Sequence, residues 1–115
     1  MDENRARELL AAQRAEAEIL LRSVREQGRE DRDAEDTEGV DVDDHAQPLS
    51  AEGEDDAIAE SLRDRLAAIE RAEQRLASGT FGRSVRSGAV IPDARLEANP
   101  LAELTIEEAT AEARR

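Results

Sequence analysis

The side chains best equipped for chemistry in this sequence are carboxylates, and they are concentrated in one stretch. Between positions 30 and 60 stand fourteen Asp and Glu residues, opposed only by Arg32. Their densest part is Asp41-Val42-Asp43-Asp44-His45-Ala46. A compact carboxylate group attracts Mg²⁺ and basic side chains. The arrangement lacks the glycine and terminal glutamate of an EF-hand loop, so a calcium-buffer reading is weak. The chain has no cysteine, which excludes disulfides and thiolate metal sites, and its one histidine is His45. None of these residues points to covalent chemistry, and the expectation is a non-enzyme without a cofactor.

Composition narrows the field further. Apolar residues make up 38% of the 115 and charged residues 39%, and Phe81 is the sole aromatic. Such a chain is one domain at most, without bulk for a large core, and suits paired helices that bury a narrow seam. All 16 basic residues are arginine, and against 29 carboxylates they leave a net charge of −13. A surface this acidic repels nucleic-acid phosphates, so direct, sequence-specific DNA binding is not expected. Apolar runs are too short for a membrane span, and Met1-Asp2-Glu3-Asn4 lacks the order of a signal peptide. A cytoplasmic monomer is expected.

Two helices would have to position the carboxylates. From Asp2 to about Arg29, strong helix formers dominate without proline. Leu10, Ala17 and Val24 repeat every seven residues. Ala6 and Leu20 occupy the companion heptad position, Gln13 is its polar exception, and Leu9 and Leu21 widen the stripe. A polar loop is expected over about 30–54, where Gly28, Gly39, Pro48 and Gly53 interrupt the pattern. A second helix is expected from about Asp55 to Ala77, with Leu62, Ile69 and Leu76 in one row, Ile58 and Ala72 beside it, and Leu66 flanking. Ser78-Gly79 stops it. Helices of similar length joined by a polar connection fold back antiparallel, which gives a mainly α chain: a coiled-coil hairpin over 1–78 and a small module over 79–115.

In that module Thr80–Val85 and Ala89–Ile91 are short β-type runs around Arg86-Ser87-Gly88. Asp93–Ala98 fits a helical turn. Thr105 is a suitable N-cap for a last helix, with Glu107 and Glu108 in its first turn.

The order Ser78-Gly79-Thr80-Phe81-Gly82, then Gly88-Ala89-Val90-Ile91-Pro92-Asp93-Ala94-Arg95-Leu96-Glu97-Ala98-Asn99-Pro100, resembles the signature of the DksA/TraR family. The likeness covers roughly the last third of the chain. It implies a hairpin followed by a zinc-ribbon-like module, in which four cysteines normally hold the metal. Those positions fall here on Ser84, Ser87, Thr105 and Glu108, so the resemblance implies a degenerate, zinc-free module. Without metal, cohesion is expected from Phe81, Val85, Val90, Ile91, Leu96, Leu101, Leu104 and Ile106.

The resemblance also assigns the acidic stretch. Family members carry Asp-x-x-Asp-x-Ala at the hairpin tip, and Asp41 to Ala46 match it. The implied function is transcription regulation: the hairpin enters the secondary channel of RNA polymerase and the tip modulates initiation. Asp41 and Asp44 would make polar contacts there, and Ala46 would permit close approach. About 20 helical residues at 1.5 Å rise give an arm of roughly 30 Å. The family's basic positions for guanosine tetraphosphate fall on Ala68, Asn99 and Ala109, which implies weak or absent synergy with that nucleotide. The alternative is an acidic coiled-coil adaptor released from polymerase. A nucleic-acid mimic is a poorer reading, since the acidic residues are collected in one stretch instead of being spread along an ordered surface.

Overall fold

The proline-free runs of alanine, leucine, glutamate and arginine form two long helices, α1 (Glu3–Glu38) and α2 (Pro48–Ser78), followed by two short ones, α3 (Asp93–Ala98) and α4 (Ile106–Ala113). This computed structural model describes the backbone of residues 1–38 and 48–114 and the side chains of residues 1–28 and 56–114. Both long helices run further into the acidic stretch than the loop expected over 30–54. Arg29 to Glu38 contains neither proline nor glycine. Gly28 stays inside α1, since a glycine in a helix interior costs only about 1 kcal/mol relative to alanine. Pro48 opens α2, at the first-turn position where its missing N–H leaves nothing unsatisfied.

Two compact units are present: Ala15–Leu66, and Met1–Arg14 together with Ala67–Arg115. In the first, Leu21, Ala59 and Leu62 form the core, with Val24 and Leu66 packed against it. Arg65 of α2 reaches Glu16 of α1 at 3.3 Å. Rising numbers on α1 therefore meet falling numbers on α2, the antiparallel pairing expected of a hairpin.

One seam position differs from the heptad reading. Leu21 is 7% exposed, whereas its neighbour Leu20 is 41% exposed. A strict seven-residue repeat assigns the site to Leu20, but an unstrained helix turns every 3.6 residues. Steps of that size from the buried Leu10 pass close to Arg14, Ala17, Leu21, Val24 and Gly28, each of which is buried or half-buried. On α2 the buried residue is likewise Ala59 and not Ile58, which is 49% exposed. A methyl group fits the seam, and Ile58, about 100° round the helix, lies off it.

In the second unit Ala6, Leu10, Ile69, Ala72, Ile91, Leu96 and Ala102 are buried. Arg14 grips Glu73 through Nε and Nη2 at 3.2 and 2.6 Å. Arg5 holds both carboxylate oxygens of Glu97 at 2.8 and 2.7 Å, which raises the Arg5 pKa and lowers that of Glu97. Helix α2 ends in a Schellman turn: the Thr80 N–H donates to the Arg75 carbonyl at 2.8 Å and the Gly79 N–H to Leu76 at 3.2 Å. Gly79 has φ +77°, the left-handed conformation this ending requires.

Beyond it, the expected β-type runs reduce to one antiparallel bridge, Arg83 with Val90, and no strand occurs among the described residues. The Ser84 N–H donates to Ala89 and the Ile91 N–H to Gly82, both at 2.8 Å. Alternation across this narrow loop explains a second difference. Ser84 and Ile91 are buried, so adjacent Val85 and Val90 face outward, at 57% and 64% exposure. Ile106 is also exposed. The apolar contribution to the module comes instead from Ile91, Leu96 and Ala102, with Phe81, Leu101 and Leu104 half-buried.

Candidate functional site

Of the sequence-derived site residues, Asp41, Asp44 and Ala46 lie outside the described residues, whereas Ser84, Ser87, Thr105 and Glu108 are all described. The last four are brought together. Thr105 caps α4 in a capping box: its hydroxyl oxygen accepts the Glu108 N–H at 3.2 Å, and Glu108 Oε1 accepts the Thr105 N–H at 3.0 Å. The Thr105 hydroxyl also donates to Glu108 Oε1 at 3.0 Å. The Ser84 and Ser87 side chains of the neighbouring loop act on the same carboxylate electrostatically, together with the Thr105 groups. These groups stabilise the ionised form, Ser84 foremost, and lower the Glu108 pKa to about 2.

The serine oxygens are engaged within their own loop. Ser84 Oγ, in a residue only 5% exposed, accepts the backbone N–H groups of Arg86 at 3.1 Å and Ser87 at 3.2 Å. Ser87 Oγ accepts the Ala89 N–H at 3.2 Å. The loop is further joined to the residues before and within α4. The Val85 N–H donates to the Glu103 carbonyl at 2.8 Å, and Arg86 lies 3.4 Å from Glu112. The Glu103 carboxylate in turn receives Arg71 at 3.0 Å and Arg75 at 3.4 Å. Burial opposes the Arg75 charge and lowers its pKa, against the pull of Glu103.

This set does not fit zinc. A structural zinc site takes four thiolates or imidazoles; three neutral hydroxyls and one carboxylate are poor donors, and their oxygens are already engaged by N–H and O–H groups. Among the described residues no group of three or more His, Cys, Asp or Glu could hold a metal ion. The capping role of Glu108 is not among the sequence expectations. Its signal was nevertheless present, because Thr105-Ile106-Glu107-Glu108 has the Thr-x-x-Glu spacing of a capping box.

The fold and site define a class: an antiparallel helical hairpin carrying a small ribbon-like module cross-linked by hydrogen bonds. No family model and no curated protein matches the sequence. A solved structure does: transcription factor DksA2 from Pseudomonas aeruginosa, with a TM-score of 0.85 and 26% identity, covering 98% of this chain and 84% of that one. Nearly the whole chain is thus similar in fold to a DksA-like transcription factor. Among the described residues, no helix is long and apolar enough to cross a membrane.

Proposed function

We propose that the protein is a transcription regulator that binds RNA polymerase, inserting the acidic segment between its hairpin helices into the secondary channel to modulate initiation. The observation that carries this reading is the likeness of nearly the whole chain to the transcription factor DksA2. A match confined to the hairpin would fit any antiparallel coiled coil; one that includes the C-terminal module does not. The acidic segment suits the task physically. Its carboxylates complement Mg²⁺ and basic channel walls, and it joins the end of α1 to the start of α2. Asp41 and Asp44 make the polar contacts, Ala46 allows close approach, and no residue performs covalent chemistry.

The test separates a specific tip from general acidity. Asp44→Asn removes one charge and keeps shape; Asp36→Asn makes the same charge change within α1. At equal polymerase occupancy in an in vitro transcription assay, Asp44→Asn is expected to lose most of the effect and Asp36→Asn to keep it. Equal behaviour of the two rejects a specific tip. Failure of the protein to co-purify with RNA polymerase rejects the polymerase reading and favours the adaptor.

A further inference from the structure

We propose that Gly28 of α1 and Gly53 of α2 form a paired hinge across the hairpin. At this level the outer end, which carries the acidic segment, bends against the stem that holds the apolar seam. The proposal rests on helix register and composition and holds whether or not the chain engages polymerase.

Register places the two glycines at one level. Glu16 meets Arg65 at 3.3 Å, and Leu21 packs with Ala59 and Leu62. In an antiparallel pair each step along α1 is matched by a step back along α2. Gly28 stands twelve residues after Glu16, and Gly53 stands twelve before Arg65. They are the only glycines inside the four helices. Each weakens its helix relative to alanine. A weak point in one helix achieves little beside a stiff partner, whereas two at the same level let both helices bend as one. The seam ends there too. Its members Leu21, Val24, Ala59, Leu62 and Leu66 all stand on the stem side of the glycines. Continued at 3.6 residues per turn, the α1 stripe beyond Gly28 falls on Asp31, Arg32 and Glu35. Residues 29–38 carry six carboxylates against two arginines, and residues 48–52 add Glu52 with no base. Both outer segments are therefore net negative and repel where they run together. Backbone weakness, the end of the apolar seam and like charge coincide at a single level.

The experiment is a pulsed electron–electron distance measurement on the full chain. Cysteine is absent, so nitroxide labels attach only at introduced thiols. Arg22→Cys and Asp36→Cys place them on either side of Gly28 within α1, about 21 Å apart along a straight helix at 1.5 Å rise. In the otherwise parental chain the distance distribution should be about twice as wide as with Gly28→Ala and Gly53→Ala together. The double-alanine distribution should centre on the straight-helix distance. Gly53→Ala alone should already narrow the distribution, although no label lies on α2, because the helices bend together. The matched control, Thr37→Ala with Ser50→Ala, raises helix propensity in both helices beyond the glycines and should leave the width unchanged. A parental distribution as narrow as the double-alanine one overturns the proposal. Narrowing by the control also overturns it, since that would show fraying of helix ends. A Gly53→Ala distribution identical to the parental one overturns the pairing, leaving two independent weak points.

Discussion

Leu20 and Leu21 make an internally controlled test of the hairpin. They are adjacent in α1 and have the same helix propensity and nearly the same unfolded-state context, so replacing either with alanine changes those contributions equally. They differ in burial, at 41% and 7% exposure, and only Leu21 belongs to the cluster with Ala59 and Leu62. Buried Leu→Ala changes cost about 2–5 kcal/mol, less where the site can relax. Because Val24 and Leu66, which pack on this cluster, are themselves only partly buried, the gap can partly close or admit water. We therefore expect Leu21→Ala to cost about 2–3 kcal/mol and Leu20→Ala less than about 1 kcal/mol. At roughly 4–8 °C per kcal/mol for a domain near this size, the melting temperatures should fall by about 8–24 °C and by less than about 8 °C. The chain has no Trp or Tyr, so unfolding is followed by circular dichroism in urea and on heating. Equal costs, or a larger cost at Leu20, would restore the strict heptad register and refute the 3.6-residue argument.

Other expectations follow from individual contacts. Elemental analysis of the dialysed protein should find no stoichiometric zinc, and chelators should leave its circular dichroism unchanged; one tightly held zinc per chain would refute the reading of the donor set. The Glu108 pKa is depressed from 4.5 to about 2, so the stability its ionised form confers is complete above about pH 4.5 and drains away as pH falls towards 2. Glu97 is also depressed, so the Glu108 share is the part of the pH dependence that Glu108→Gln abolishes, and no difference between parent and variant in that window would refute the assignment. Asp44→Asn should reduce the transcriptional effect where Asp36→Asn does not.

What could be read in advance depended on how local each signal was. The ends of short elements were legible because they are set by adjacent residues: Gly79 closing α2, Thr105 opening α4, Asp93–Ala98 as a turn of helix. Antiparallel pairing was legible from two apolar stripes of similar length. The seam at Leu20 and Leu21 was not, because repeats of 3.5 and 3.6 residues diverge by one position only after several turns. Helix limits in the acidic stretch were missed for another reason: glycine and proline were read as breaks, although Gly28 lies inside α1 and Pro48 starts α2. Val85, Val90 and Ile106 were assigned to the core by residue type, but which side of a narrow loop faces inward is set by tertiary contacts of Ser84 and Ile91. The candidate site was legible as four positions from a family resemblance, and illegible as a network, because losing a ligand says nothing about what the replacements do to one another.

The replacements are chemically coherent with one another. A hydroxyl can accept the backbone N–H groups of a tight loop, so Ser84 organises its turn without a metal. At the start of α4 the Thr105 hydroxyl and N–H need an acceptor, and of the four positions only Glu108 carries a charged one. The exchange alters what the module depends on. A thiolate site fails when metal is withdrawn or sulfur is oxidised. The Thr105–Glu108 capping box that replaces two of the ligands has neither weakness, and it weakens instead in acid, where the carboxylate takes up a proton. In a chain with no cysteine and a net charge of −13, buried apolar side chains such as Ile91 and Leu96 then provide the cohesion that does not depend on ionisation, each contributing about 1.5–3 kcal/mol.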